Sequence, residues 1–324
     1  MPSFGLALQE MVIPRLLERK AAERPDAVFV HYGEERWSFA EVEAAAAKLA
    51  SGLRDLGVKR GDRVGLFLPN GPPFINSYFA LGKLGATMVP VNTAYRGYML
   101  EYLLNDTACE VLVVDATLLD RVLDSAERLE SLATLVVAGA DGAAETPWRT
   151  VAFESLPGEP IGTDPDVRHD DVNCVIYTSG TTGPSKGVPI TNAHGISKAI
   201  EVIRLAEMGE DDVVYAPLPL FHSFALLRGV CAGLVTGGSC ALRERFSASA
   251  FWSDVRTTGA TVGFCVFSIP MILAKAEPRD DDRDHTLRVF YNARHDPAFE
   301  ERFDVRCIEA YGLTEAGAAM YVRP

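Results

Sequence analysis

The feature that most limits how this chain can fold is a repeated exchange between short, unbroken apolar runs and amphipathic helical stretches. Arg63-Val-Gly-Leu-Phe-Leu68 is such a run, followed by Pro-Asn-Gly-Pro-Pro and a helical pattern over 74–84. Gly85 ends that helix, and Thr87-Met-Val-Pro-Val91 is the next run. Glu110-Val-Leu-Val-Val114, a helical pattern over 118–129 and Ala133-Thr-Leu-Val-Val137 continue the series. Strands with no polar alternation must be covered on both faces. The spacing therefore predicts parallel strands with helices on either side, an α/β fold. Upstream, Ser38-Phe-Ala-Glu41 reads as a capping box opening a helix that Gly57 stops.

The stretch 139–170 is rich in Gly, Pro, Asp and Glu and reads as a connection with one strand-like piece near Val151. Alternation resumes at 172–177. Further strand-like runs lie at 213–216, 239–242, 261–265, 287–291 and 305–309, with helical patterns between. Pro278-Arg-Asp-Asp-Asp-Arg-Asp-His285 reads as a solvated surface turn, not an acidic catalytic cluster. The expected organisation is an α/β subdomain over 1–170 and a second α/β subdomain over 171–324.

Composition excludes several function classes. The 324 residues suffice for one large or two modest cores. Acidic residues outnumber basic ones by 44 to 31, for a net charge of −13, so a broad nucleic-acid footprint is not expected. The 6 cysteines form no Cys-x-x-Cys pair and mostly lie in apolar runs, which reads as buried, reduced thiols in a cytoplasmic protein. No His-Glu-x-x-His or similar metal spacing occurs among the 6 histidines. Charges throughout Pro14-Arg-Leu-Leu-Glu-Arg-Lys20 argue against a signal peptide, and no apolar stretch reads as a membrane span.

The chemistry is concentrated in Tyr177-Thr-Ser-Gly-Thr-Thr-Gly-Pro-Ser-Lys-Gly187, after an apolar strand and before a helical pattern that Thr191 or Asn192 could cap. Such a loop can turn backbone N–H groups toward an anion. Gly180, Gly183 and Gly187 allow close backbone approach, Thr178, Ser179, Thr181, Thr182 and Ser185 supply hydroxyls, and Lys186 supplies a positive charge. It is not the ordinary P-loop, because Ser185 precedes Lys186 and Gly187 follows it. A flexible Gly/Ser linker is the bland alternative, disfavoured by the flanking strand and helix.

This loop closely resembles the signature loop of the adenylate-forming superfamily: acyl-CoA synthetases, luciferases and the adenylation domains of peptide synthetases. Tyr311-Gly-Leu-Thr-Glu315 resembles that family's aromatic-Gly-x-Thr-Glu motif, and Ala216-Pro-Leu-Pro-Leu-Phe-His-Ser-Phe224 its Pro-Leu-Phe-His segment. The motifs follow in the family's order. Arg245-Phe-Ser-Ala-Ser-Ala-Phe-Trp252 and Asp281-Asp-Arg-Asp-His285 are most similar to bacterial acyl-CoA and carnitine/crotonobetaine-type CoA ligases. Taken alone, Tyr-Gly-Leu-Thr-Glu could equally be a helix N-cap, and His222 a core histidine.

The resemblance implies a layered αβαβα N-terminal domain with two mostly parallel sheets flanked by helices. It implies ATP, Mg²⁺ and coenzyme A as cofactor and co-substrates, and a carboxylic acid, fatty or otherwise lacking an α-amino group, as substrate. Thr178, Ser179, Gly180, Thr181, Thr182, Gly183 and Lys186 would hold the β- and γ-phosphates. Tyr311 and Gly312 would meet the adenine, with Asn292 and Ala293 beside it. Thr314 would contact the α-phosphate, and Glu315 with Thr182 would hold Mg²⁺. His222 would sit by the substrate carboxylate, with Phe221, Phe224, Phe264 and Phe267 lining the acyl pocket. Lys186, His222, Thr314 and Glu315 are the candidate catalytic residues. A second copy of the chain, as a homodimer, is kept as a candidate partner.

The chain also departs from the family. It stops at Pro324, before the family's ribose-binding Asp, hinge and mobile C-terminal domain, so it is expected to be an N-terminal portion with little activity alone. Tyr291-Asn-Ala-Arg-His-Asp-Pro297 stands where the family has a small-residue turn. Rival readings are an adenylation domain serving a carrier protein, and a non-catalytic nucleotide- or acyl-binding fragment. Amino-acid activation is disfavoured because Phe221-His-Ser-Phe-Ala225 contains no carboxylate for an ammonium.

Overall fold

The computed structural model describes residues 5–139, 146–178 and 185–322, the last six by backbone only. Two compact units emerge from the chain's own contacts. One comprises Arg19–Ala40 and the described residues from His194 onward; the other comprises Ala7–Glu18 and Glu41–Ala193. The division differs from the expected boundary at 170/171. Val172–Thr178 pairs in parallel with Thr87–Pro90, and Lys186–Thr191 pairs with Val172–Thr178, so both belong to the earlier unit's sheet.

That sheet has 7 strands in the spatial order Arg149–Ala152, Thr134–Ala138, Val111–Asp115, Arg63–Phe67, Thr87–Pro90, Val172–Thr178 and Lys186–Thr191. All neighbours run parallel except the last pair. Thr134–Ala138 and Thr87–Pro90 are buried along their whole length, as unbroken apolar runs require. Phe67, Leu112 and Leu135 are fully buried in one cluster with Leu100 and Leu104 of the Tyr98–Asp106 helix. Each such side chain contributes about 1.5–3 kcal/mol of transfer free energy. The Pro72–Leu84 helix ends on Gly85 at φ 65°, where a Cβ would lie 2.9 Å from Arg60 Cγ, so only glycine fits both the turn and the space.

The later unit's sheet has 8 strands. Their order is Gly317–Val322, Arg306–Leu313, Val289–Tyr291, Val262–Phe264, Val213–Ala216, Ser239–Leu242, Val28–Tyr32 and Glu35–Ser38. It is parallel throughout its centre and antiparallel only at its two edge pairs. The chain passes from Val213–Ala216 to Ser239–Leu242 on one side, then crosses back to Val262–Phe264 on the other. Strand order therefore reverses at Val213–Ala216, and in open α/β sheets ligands bind outside the carboxyl ends of the strands at such a point. Phe251, Phe290, Phe299 and Phe303 anchor the core on one face.

The α/β class with two mostly parallel, helix-flanked sheets agrees with the sequence expectation. All 6 cysteines are free and buried, and burial pushes the Cys109 thiol up to about 11. Among the described residues, no helix is long and apolar enough to cross a membrane.

Candidate active site

The 177–187 segment differs from the expected strand–loop–helix. Val172–Thr178 and Lys186–Thr191 form an antiparallel hairpin with Thr178 opposite Lys186, and only then does the Asn192–Ala206 helix begin. The Lys186–Thr191 strand thus stands between residue 185 and the helix N-terminus. Ser179, Gly180, Thr181, Thr182 and Gly183 lie outside the described residues. Lys186 is exposed at the mouth of the hairpin. The side chain of Asn192 is engaged elsewhere, accepting from Ile13 N at 3.2 Å and donating to the Arg168 carbonyl at 3.0 Å.

Gly187 has a structural reason to be glycine. It faces Tyr177 across the hairpin, and a Cβ would lie 2.8 Å from Val175 Cγ1 and 3.1 Å from the Tyr177 ring. Tyr177 is buried and donates its hydroxyl to Asp106 Oδ2, and burial followed by that carboxylate holds its pKa well above the usual range. The hairpin base is therefore rigidly anchored beneath Lys186.

In the later unit the downstream motifs converge at the carboxyl ends of the parallel strands. After Val213–Ala216 comes a turn carrying His222, then a π-helical segment, Phe224–Val230, of a kind that recurs at functional sites. His222 reaches solvent at one edge, yet the protein packed around it holds its pKa below 6.5, so it is neutral at pH 7. Its ring centroid lies 4.6 Å from that of Phe221. The next residue, Ser223, has its hydroxyl 3.5 Å from that of Thr314, so this turn meets the Tyr311–Glu315 segment directly.

That segment is neither a helix N-cap nor a helix. Tyr311, Gly312 and Leu313 extend the Arg306–Leu313 strand, and Leu313 pairs with Gly317 across a tight hairpin that presents Thr314 and exposed Glu315. Tyr311 is 59% exposed, which leaves its face open for stacking. Lys198, on the Asn192–Ala206 helix, donates to the Leu313 carbonyl at 3.4 Å.

A cavity of about 210 Å³ brings predicted residues together: Phe224, Phe267, Asn292, Tyr311 and Gly312 line it. Phe264 is fully buried behind it, edge-on to Phe224 at 5.1 Å. Asn292 follows Val289–Tyr291 at φ 65°, a left-handed conformation that Asn tolerates, and its amide donates to the Cys265 carbonyl at 3.3 Å. Ala293 is 0% exposed and packs in the core, and its N–H donates to the Ile308 carbonyl at 3.1 Å, so it is not brought to the cavity. Phe221 and His222 do not line this cavity.

Sequence reasoning passed over three other lining residues, Arg228, Tyr291 and Ala310. Arg228 was open to notice as the single charge within the apolar run from Phe224 to Gly233. Tyr291, on the strand, carried no comparable signal. Its hydroxyl donates to Glu201 Oε1 at 3.1 Å, and Arg228 Nε lies 3.7 Å from the same oxygen.

The cavity lies beside these motifs at the strand-order reversal, and comparison with known proteins shows the family. The chain belongs to the AMP-binding enzyme family, which it matches over residues 17–324. It is 30% identical over 288 residues to the crotonobetaine/carnitine–CoA ligase of Salmonella arizonae, covering 87% of this chain and 56% of that protein. The chain thus spans little more than half the length of that relative. Among solved structures, the N-terminal domain of FACL13 from Mycobacterium tuberculosis superimposes with a TM-score of 0.80 at 26% identity, covering 94% of this chain and 76% of that one. An anthranilate CoA ligase in complex with anthranoyl-AMP gives a TM-score of 0.87 at 24% identity, covering 100% and 64% respectively, a likeness of fold.

Proposed function

We propose that this chain is the acid-activating portion of an AMP-forming acid–thiol ligase. A carboxylate oxygen attacks the α-phosphorus of ATP, the bond to the β-phosphate breaks, and pyrophosphate leaves with the bonding pair. In the parent enzyme the coenzyme A thiolate then attacks the acyl carbon and AMP leaves. The observation that supports this reading best is the cavity at the strand-order reversal, which gathers residues of the downstream motifs where α/β sheets take ligands. The relatives' names, acid–CoA ligases, agree with it.

The first step asks little covalent help of the protein; it needs positioning and charge neutralisation. In this reading Lys186 meets the terminal phosphates, with Thr178 beside it across the hairpin. The exposed face of Tyr311 stacks on adenine, and Thr314 contacts the α-phosphate. Neutral His222 stands near the substrate carboxylate without holding it as an ion pair. Among the described residues there is no cluster of three or more Asp, Glu, His or Cys able to cage a metal. Mg²⁺ takes one or two carboxylates and completes its shell with phosphate and water. Glu315 would hold it with Thr182, where it would neutralise phosphate charge. The proposed address is the cytoplasm.

The test is acid-dependent exchange of labelled pyrophosphate into ATP by the complete enzyme, with calorimetric binding of acyl-sulfamoyl adenosines to the purified chain. Lys186→Ala is expected to abolish exchange. Undiminished exchange in that variant would remove Lys186 from the phosphate site, and failure to bind any acyl-sulfamoyl adenosine would remove the reading itself.

A further inference from the structure

We infer that the cavity behind Tyr311 takes the acyl group and that Arg228 makes it selective for small acids whose far end carries a negative charge, an inference that rests on the proposed acid-activating function. Among the described residues, Arg228 is the only charged one lining it, against the aromatic walls of Phe224, Phe267 and Tyr311. Its side chain is 6% exposed. At about 210 Å³ the cavity is smaller than the roughly 300–1,000 Å³ typical of sites for drug-sized ligands, which suits a short acid.

The charge of Arg228 is only partly answered by the protein. Its Nε lies 3.7 Å from Glu201 Oε1, beyond hydrogen-bond length, and that oxygen already receives the Tyr291 hydroxyl at 3.1 Å. The Arg228 side chain also acts on the Tyr291 hydroxyl and stands over the Phe224 ring, 5.9 Å from the centroid, contacts that engage fewer than the five N–H donors of a guanidinium. A second cation is close by: Lys198, 1% exposed, acts on His194 together with Arg228, and after burial the two cations hold that imidazole below its usual pKa. The surroundings of Glu201 are therefore rich in positive charge.

Each class of acyl tail meets this site differently. An alkyl tail would strip water from the guanidinium and return no acceptor. A quaternary ammonium tail would be repelled. A distal carboxylate would form charge-assisted, bidentate hydrogen bonds in a dry, aromatic-walled space, where they are strongest.

The test uses the 324-residue chain and three sulfamoyl-adenosine conjugates, bearing succinyl, its methyl ester, and a trimethylammonium-tailed acyl group. Calorimetry is expected to show the succinyl conjugate bound at least about tenfold tighter than its methyl ester, with the ammonium conjugate weakest. Arg228→Met is expected to erase the difference, and Arg228→Lys to keep part of it. Ester or ammonium binding equal to or tighter than succinyl overturns the inference while leaving acid activation standing. No binding of any conjugate overturns both. If Arg228→Met fails to fold, the wild-type ratio and the Lys variant still decide.

Discussion

The imidazole of His285 stacks on the indole of Trp252, with ring centroids 4.5 Å apart and planes 15° from parallel. Trp252 stacks in turn against Phe303 at 4.7 Å. Neither ring nitrogen of His285 has a hydrogen-bond partner in good geometry, although backbone groups of Asp282 and Phe303 favour its charged form. Burial, and then the Arg256 guanidinium, outweigh them and hold the pKa below 6.5. The unfolded chain therefore takes up a proton more readily than the folded one, and stability falls as pH drops below about 6.5. His222, His194 and His31 are shifted the same way, so His285 accounts for part of the slope. His285→Phe keeps the stack and removes the titration. Scanning calorimetry at pH 7.5 and 5.5 should show a smaller loss of Tm in the variant; identical losses would exclude His285 as a source.

Lys83 is fully buried, 2.7 Å from Glu18 Oε1 and 2.6 Å from Glu43 Oε1. Burial pushes both carboxyls up. At Glu43 it prevails, whereas at Glu18 Lys83 and Thr163 overcome it and the pKa falls below 4.5. Lys83→Met leaves burial unopposed at Glu43, while Thr163 still donates to Glu18. The folded pKa of Glu43 then stands further above the unfolded one, so the variant loses stability as pH rises through that interval. A deficit of about 3–5 kcal/mol at pH 7.5 is expected in urea denaturation, shrinking toward pH 5. A deficit independent of pH would show that the carboxylates are not its origin.

Tyr311 offers a test that separates binding from folding. Its side chain is 59% exposed, so replacement should change stability by less than about 0.5 kcal/mol. Stacking on a base is worth about 1–3 kcal/mol. Tyr311→Ala should weaken an acyl-sulfamoyl adenosine roughly tenfold or more, and Tyr311→Phe should retain most of the affinity. If the Ala variant bound as tightly as the native chain, adenine would have to lie elsewhere.

At Gly187 the added methyl of Gly187→Ala would meet Val175 Cγ1 at 2.8 Å. The variant should lose about 1–2 kcal/mol through overpacking. Combining it with Val175→Ala makes room, so the double variant should be less destabilised than the two single losses summed. Simple additivity in thermal melts would mean the contact is not limiting.

Strand and helix identity was legible wherever one element dominates a local pattern, as in Arg63–Phe67 and Thr134–Ala138. The hairpin partner Lys186–Thr191 was not, because its burial alternates weakly and its place in the sheet depends on pairing with Val172–Thr178. Phe224, Phe267, Asn292, Tyr311 and Gly312 were named from motifs and meet at one cavity. Arg228 and Tyr291 were not, since their roles exist only once four strand ends are adjacent.

By itself the sequence determined the α/β class, the buried cysteines and the family, because hydrophobic period, turn residues and motif order are local properties of a chain. Tertiary structure alone decided where the strand order reverses, that Gly187 is glycine beneath the Tyr177 ring, and that Arg228 shares Glu201 with Tyr291. Those are relations between residues distant in sequence. They arise from which apolar faces pack together, and the charge at the cavity wall follows from that packing.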